Sequence, residues 1–325
     1  MVLFLLRRLG QSILVLWLMS VIVFAGIYLV GDPASMMIPD SVTPEMRAQM
    51  MSALGLDKPA LAQYLDFAGR AVHGDMGKSF ATGLPVSTLI ASRLTATMEL
   101  AVAATLIAIV VGLPLGLVAG RWPETVAGRA LTFLSSLGFS LPTFWLGLML
   151  IMVFSVHLGW LPSNGRGPTT EWLGLQVSFL SWQGLRHLLL PALNLALFNA
   201  AMVLRLARSA TREALLTDYV KFARAKGIGN ARLMGVHVLK NILIPIVTVV
   251  GINFGGIIAF SVVTETIFGW PGMGKLLIDS INALDRPVVL GYLMFVVVIY
   301  LLINLVVDLL YSWLDPRITL SARAS

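Results

Sequence analysis

Residues 241–264 read NILIPIVTVVGINFGGIIAFSVVT, and this stretch decides the fold class. It runs 24 residues without an Asp, Glu, Lys or Arg. At 1.5 Å of rise per residue a helix of that length reaches about 36 Å. The hydrocarbon core of a bilayer is roughly 30 Å thick. Gly251 and Gly255 stand four residues apart, a spacing that lets helix backbones approach closely in lipid. The segment reads as a membrane span.

Working outward, five more segments share its character: 9–30, 100–120, 130–157, 187–204 and 288–307. The 130–157 stretch is long enough to tilt or bend and carries Pro142, and 187–204 is the shortest. Composition agrees, with 58% hydrophobic and 12% charged residues and a mean hydropathy of +0.87. Soluble domains carry roughly 25% charged residues. The expected fold is therefore an all-α integral membrane protein with six transmembrane helices. Arg7 and Arg8 precede the first span, but its 22 apolar residues exceed the 7–15 of a secretory h-region, so it reads as a retained helix.

The basic residues set an orientation. With the N-terminus inside, segments 1–8, 121–129, 205–240 and 308–325 hold fourteen Lys and Arg, against four in 158–186 and 265–287. Lys and Arg concentrate in short cytoplasmic loops, so both termini are expected in the cytoplasm. The same distribution explains the net charge of +7 without a nucleic-acid partner, which would need the charge gathered on a water-facing domain. Cysteine is absent, which removes disulfides, thiolate metal sites and thiol nucleophiles.

Segment 31–99 is the one sizeable region expected outside. Thr43 as N-cap, Pro44 at the first helical position and Gly55 past the end bracket a short helix, with Met46, Met50, Ala53 and Leu54 on one face. A second helical pattern after Pro59 carries Leu61, Tyr64, Leu65, Ala68 and Val72. It reads either as a helical cap on the membrane surface or as a docking surface for an extracytoplasmic partner.

The 205–240 loop is richer. Leu215, Leu216, Tyr219, Phe222 and Ala223 fall on one apolar helix face between Ser209 and Lys226, with Arg212, Lys221, Arg224 and Lys226 elsewhere. Gly227 suits the position just past a helix end, and Asn230 can cap the next helix, which runs into the 241–264 span. The pattern describes a helix–turn–helix knuckle between two spans. Read without context, it is also an amphipathic helix for an anionic leaflet.

Glu213-Ala214-Leu215, Asp218-Tyr219-Val220, Ala223 to Gly227, His237 and Asn241 to Pro245 resemble the EAA signature of ABC-importer permeases, in the form carried by the dipeptide/oligopeptide/nickel family. The likeness extends through Arg7-Arg8-Leu9, Gly31-Asp32-Pro33, Leu54 to Pro59, Gly74-Asp75-Met76-Gly77, Leu141 to Trp145, Thr264 to Phe268, Trp270-Pro271-Gly272 and Asp315-Pro316-Arg317. It implies the type-1 importer permease fold: an N-terminal helix with a small extracytoplasmic helical segment over 1–94, a permease domain over 95–311 and a tail over 312–325. It also implies a coupling helix seated in a groove on an ATP-binding subunit. By position, that coupling loop takes in Glu213, Ala214, Asp218, Tyr219, Phe222, Ala223, Arg224, Ala225, Lys226 and Gly227. The implied partners are a second homologous permease, two cytoplasmic ATP-binding subunits and an extracytoplasmic solute-binding protein, in the bilayer of a bacterial inner membrane. No cofactor is expected on this chain; ATP and Mg belong to the partner subunits. Dipeptides or oligopeptides are the expected cargo, with nickel chelates, glutathione or opines as alternatives.

An ion-coupled secondary transporter is the more distant reading. Such proteins place ionisable residues near the midplane, and the six spans lack Asp, Glu, Lys and Arg. Asn194, Asn199, Asn253 and Asn304 are the polar candidates for lining a pathway or for bonding across helices. No enzyme site is expected. Gly269 to Lys275 matches GxxxxGK, but Leu276 follows where a phosphate loop needs Ser or Thr. His73, His157, His187 and His237 lie in separate segments and form no metal motif.

Overall fold

The computed structural model describes residues 2–30, 42–53 and 57–314. The Gly31-Asp32-Pro33 and Asp315-Pro316-Arg317 motifs, Leu54 to Leu56 with the expected helix end at Gly55, and tail residues 315–325 lie outside the described residues.

Helix α1 spans Val2–Val30, α2 Pro44–Ala53, α3 Ala60–Val72 and α4 Val86–Arg121. Next come α5 at Val126–Ser140 and α6 at Thr143–Leu150, the latter continued by a π-helical turn over Ile151–His157. A short antiparallel hairpin pairs β1, Thr170–Trp172, with β2, Leu175–Val177, in the register Thr170↔Val177. Then follow α7 at Trp182–Leu216, α8 at Asp218–Ala225, α9 at Asn230–Phe260 with a π turn over Leu233–Val238, α10 at Val262–Ile267, α11 at Met273–Asn282 and α12 at Arg286–Leu314. Thr43 caps α2 as its spacing predicts, its hydroxyl accepting from the Met46 N–H at 3.4 Å.

Five of these helices are long and apolar enough to cross a membrane: α1, α4, α7, α9 and α12. The span expected over 130–157 is instead the pair α5 and α6, bent by 107°. Counted as one broken span, it makes six. The bend follows from Pro142, which lacks an N–H and pushes Leu141 into extended backbone (φ −84, ψ 126). Two spans outrun their apolar cores. The 100–120 segment begins at Val86, and the 187–204 segment grows to 35 residues. Glu99 and Arg205 bound the uncharged stretches, not the helices.

Two compact units emerge, Met1–Leu94 with Leu276–Leu301, and Thr95–Lys275 with Leu302–Ser325. In the first, α3 packs on α1, and the loop before α4 is held by Asp285, whose carboxylate accepts from the Ser79 hydroxyl and from the N–H groups of Phe80 and Ala81. In the second, α7 is the hub, packed by α5, α6, α8, α9 and α10. Gly112, Gly116 and Gly120 form the stripe by which α4 meets α7. A Cβ at Gly116 would stand 2.5 Å from Ala207 Cβ and 2.6 Å from the Leu204 carbonyl oxygen, so this contact admits no side chain.

Candidate functional site

The knuckle between α7 and α9 is where most of the expected site residues gather. The sequence pattern reads one helix over 209–226, but the chain breaks at Thr217, which adopts extended backbone (φ −72, ψ 153). Its N–H still donates to the Ala214 carbonyl at 3.2 Å, and its own carbonyl starts α8 by accepting from the Lys221 N–H. The break changes which residues face inward. Ala214, Val220 and Ala223 are buried in a cluster with Leu233, Val238 and Ile242 of α9, while Leu215 packs at its edge. Leu216, Tyr219 and Phe222, expected on the same apolar face as Ala223, are 75%, 38% and 62% exposed. The helix therefore stands on small aliphatic residues and turns its aromatic residues outward.

Both ends of α8 are well formed. Asp218 lies in the first turn and Arg224 in the last, each complementing the helix dipole. At the C-terminus the Gly227 N–H donates to the Arg224 carbonyl at 2.9 Å and the Ile228 N–H to the Ala223 carbonyl at 3.2 Å. That pair of bonds is a Schellman motif, and it needs the left-handed φ of +75 found at Gly227. The following helix starts at Asn230 itself, with Gly229 at the cap position and no side-chain cap bond. Glu213, Arg212, Arg224, Ala225 and Lys226 are exposed around the aromatic pair, and the Lys226 ammonium sits 4.5 Å from the centre of the Phe222 ring.

The four asparagines separate. Asn194 is fully buried, and its amide donates to the Thr264 hydroxyl at 2.8 Å, a bond between α7 and α10. Asn199 and Asn253 donate to carbonyls one turn back, at Leu195 and Val249, and border one small cavity of about 10 Å³ with Thr105. Asn304 is half-buried on α12 and does not line that cavity.

Two buried carboxylates, singled out by no spacing rule, organise the far end of the same unit. Glu99 accepts from Arg166 at 2.7 Å and from the N–H and hydroxyl of Ser178 and the N–H of Phe179. Glu265 accepts from the hydroxyls of Thr97 and Ser261 and, at 3.0 Å, from the Lys275 N–H. Beyond the end of the α9 span, burial pushes the Glu265 carboxyl above the usual range, opposed by its donors from Thr97, Lys275, Ser261 and Gly274. This arrangement also explains the GxxxxGK run. A Cβ at Gly272 would meet the Glu265 carboxyl at 2.4 Å, and one at Gly274 would meet Val262 Cα at 2.5 Å. The glycines make room for the protein's own carboxylate, and the Lys275 N–H at the end of the run is directed at it. Among the described residues no group of three His, Cys, Asp or Glu is placed to hold a metal.

Comparisons with known proteins agree on one type. Residues 112–320 match the family described as binding-protein-dependent transport system inner membrane component, and residues 1–101 match its N-terminal companion. The di/tripeptide transport system permease protein DppB of Pseudomonas aeruginosa (strain UCBPP-PA14) is 41% identical over 329 residues, covering 97% of this chain and 98% of that protein. The dipeptide transport system permease protein DppB of Escherichia coli (strain K12) is 38% identical over 337 residues, with the same coverages. Among solved structures, an inward-facing form of the MetNI methionine ABC transporter superposes with a TM-score of 0.55 at 16% identity, over 70% of this chain and 96% of that one. At that identity the likeness speaks to the fold, which is that of a type-1 importer permease.

Proposed function

The chain belongs to the binding-protein-dependent transport system inner membrane component family, and from that premise we propose that α8 is the element through which ATP-hydrolysing partners drive the import of short peptides. The protein is a multi-pass inner-membrane transport component. Peptide cargo is supported by the full-length relatives, which carry di- and tripeptides by name.

One observation carries the coupling role. Tyr219 and Phe222 are held outward by a helix whose opposite side, Val220 and Ala223, is locked into the core. Truncation of an aromatic anchor in an interface commonly costs about 2 kcal/mol or more of binding. On an isolated exposed helix it costs almost nothing. The basic rim of Arg212, Lys221, Arg224 and Lys226 suits a groove with apolar walls and acidic edges. With fourteen basic residues on that side, the knuckle and both termini lie in the cytoplasm.

The transport unit comprises this chain, a second permease, two ATPases that hold ATP and Mg, and a solute-binding protein on the other side. ATP binding brings the ATPases together, and each carries a coupling helix with it. Because α8 is rooted in α7 and α9, its displacement moves two spans and switches which end of the pathway is open. Asn199 and Asn253 line that pathway, while Asn194 ties helices together. The test is Phe222→Ala. The permease should insert and assemble in normal amount, while substrate-stimulated ATPase activity and uptake fall together. Full stimulation in that variant would remove α8 from the coupling route.

A further inference from the structure

The segment after α1 carries an apolar face that the transport role does not use. Helix α3 divides into three sides. Tyr64 and Phe67 face α1: the Phe24 ring lies 5.4 Å from Tyr64 and 6.1 Å from Phe67, centre to centre. Ser20 donates to the Trp17 carbonyl at 2.7 Å, so the Tyr64 hydroxyl donates in its 2.8 Å bond to Ser20. A second side carries Leu61, Leu65 and Val72, which are 71%, 60% and 85% exposed. The third carries Asp66 and Arg70, with Lys58 paired to Asp66. At about 100° per residue the leucine–valine stripe lies roughly 150° from the charged side.

What covers that stripe follows from where α3 is anchored. Ser20 and Phe24 belong to the membrane-crossing stretch Arg7–Gly26, and Phe24 lies in its last turn. Much of that stretch is open, with Trp17, Leu18, Val21 and Ile22 exposed as a span exposes residues to acyl chains. A helix bonded to Ser20 and stacked on Phe24 shares their depth, at the edge of the hydrocarbon. There an apolar stripe opposite a charged side describes a helix lying in the interface plane. Tyr64, apolar along its ring and polar at its tip, is a residue type enriched at that level.

We propose that α3 is an interfacial helix, with Leu61, Leu65 and Val72 immersed in the lipid of the leaflet at which α1 ends. The inference requires only that α1 spans the membrane, and it stands apart from the peptide and coupling assignments.

The chain has no cysteine, so it contributes no background thiol to single-site labelling. The test places an environment-sensitive fluorophore at Leu65→Cys in the assembled transporter in nanodiscs, with Asp66→Cys and Arg70→Cys as controls and Ile22→Cys as the lipid-facing reference. Leu61→Cys and Val72→Cys repeat the reading if one site fails to assemble. Brominated phospholipid should quench the stripe positions to the extent seen at Ile22 and several-fold more than the controls, while aqueous iodide should show the reverse order. Equal iodide quenching at all positions would overturn the proposal by placing the stripe in water. Shielding from both quenchers would overturn it by showing protein cover. Shielding that arises only when the solute-binding protein is added would overturn it in favour of a docking surface.

Discussion

Gly227 holds the knuckle through one backbone angle. Nothing lies within 4 Å of a Cβ built there, so a side chain has room. The strain is conformational: φ is +75, and an L-residue in the left-handed region costs roughly 1–2 kcal/mol. Gly227→Val should therefore unwind the α8 terminus and lower coupled uptake, while Gly227→Asn, which tolerates that region, should keep most of it. Equal activity in the two variants would show that the turn does not set the position of α8. Glu265 offers a second test at the same scale. Glu265→Ala leaves the Lys275 N–H and the Thr97 hydroxyl without their buried acceptor, a loss of about 1–3 kcal/mol. Thermal unfolding of the purified protein should show a clear drop in Tm for Glu265→Ala, and Glu265→Gln should recover part of it.

Among the elements, α7 packs against most of the others in its unit, and α4 meets it closely along a glycine stripe. Gly116→Ala should destabilise the protein by about 1–3 kcal/mol, since its Cβ would overlap Ala207 and the Leu204 carbonyl. Gly256→Ala, with no atom within 4 Å of its Cβ, is the control and should leave Tm unchanged. The spans were legible in sequence because freedom from charge is a local property, and the four-residue spacing of Gly112, Gly116 and Gly120 is equally local. The break at Thr217 was not. The apolar pattern from Leu215 to Ala223 continues across it at helical spacing, whereas the residues that actually pack, Ala214, Val220 and Ala223, are small and make a weak signal. The buried carboxylates were illegible for a different reason: Glu265 and Thr97 lie 168 residues apart, and no periodicity links them. The Thr264 to Phe268 motif contains Glu265, but nothing in it points to Thr97 or Lys275. The Thr170–Val177 hairpin likewise lacks the usual Asn-Gly turn and uses Leu173 (φ +51) with Gly174 (φ +77) instead.

For the whole molecule the division of labour is plain. The six uncharged segments hold no Asp, Glu, Lys or Arg to couple an ion gradient, and the GxxxxGK run is filled by Glu265; under the proposed function the energy enters from another chain. The proposed point of entry is the knuckle, which turns Tyr219 and Phe222 outward. The most direct measurement is uptake of a radiolabelled dipeptide into proteoliposomes. One set holds this chain with its second permease, its ATPases and its solute-binding protein; the other holds this chain alone. The complete assembly should show ATP-dependent uptake, lost in Gly227→Val, and the single chain should show none. Uptake by the single chain without ATP, or undiminished ATP-driven uptake in the Gly227→Val assembly, would contradict the proposed function.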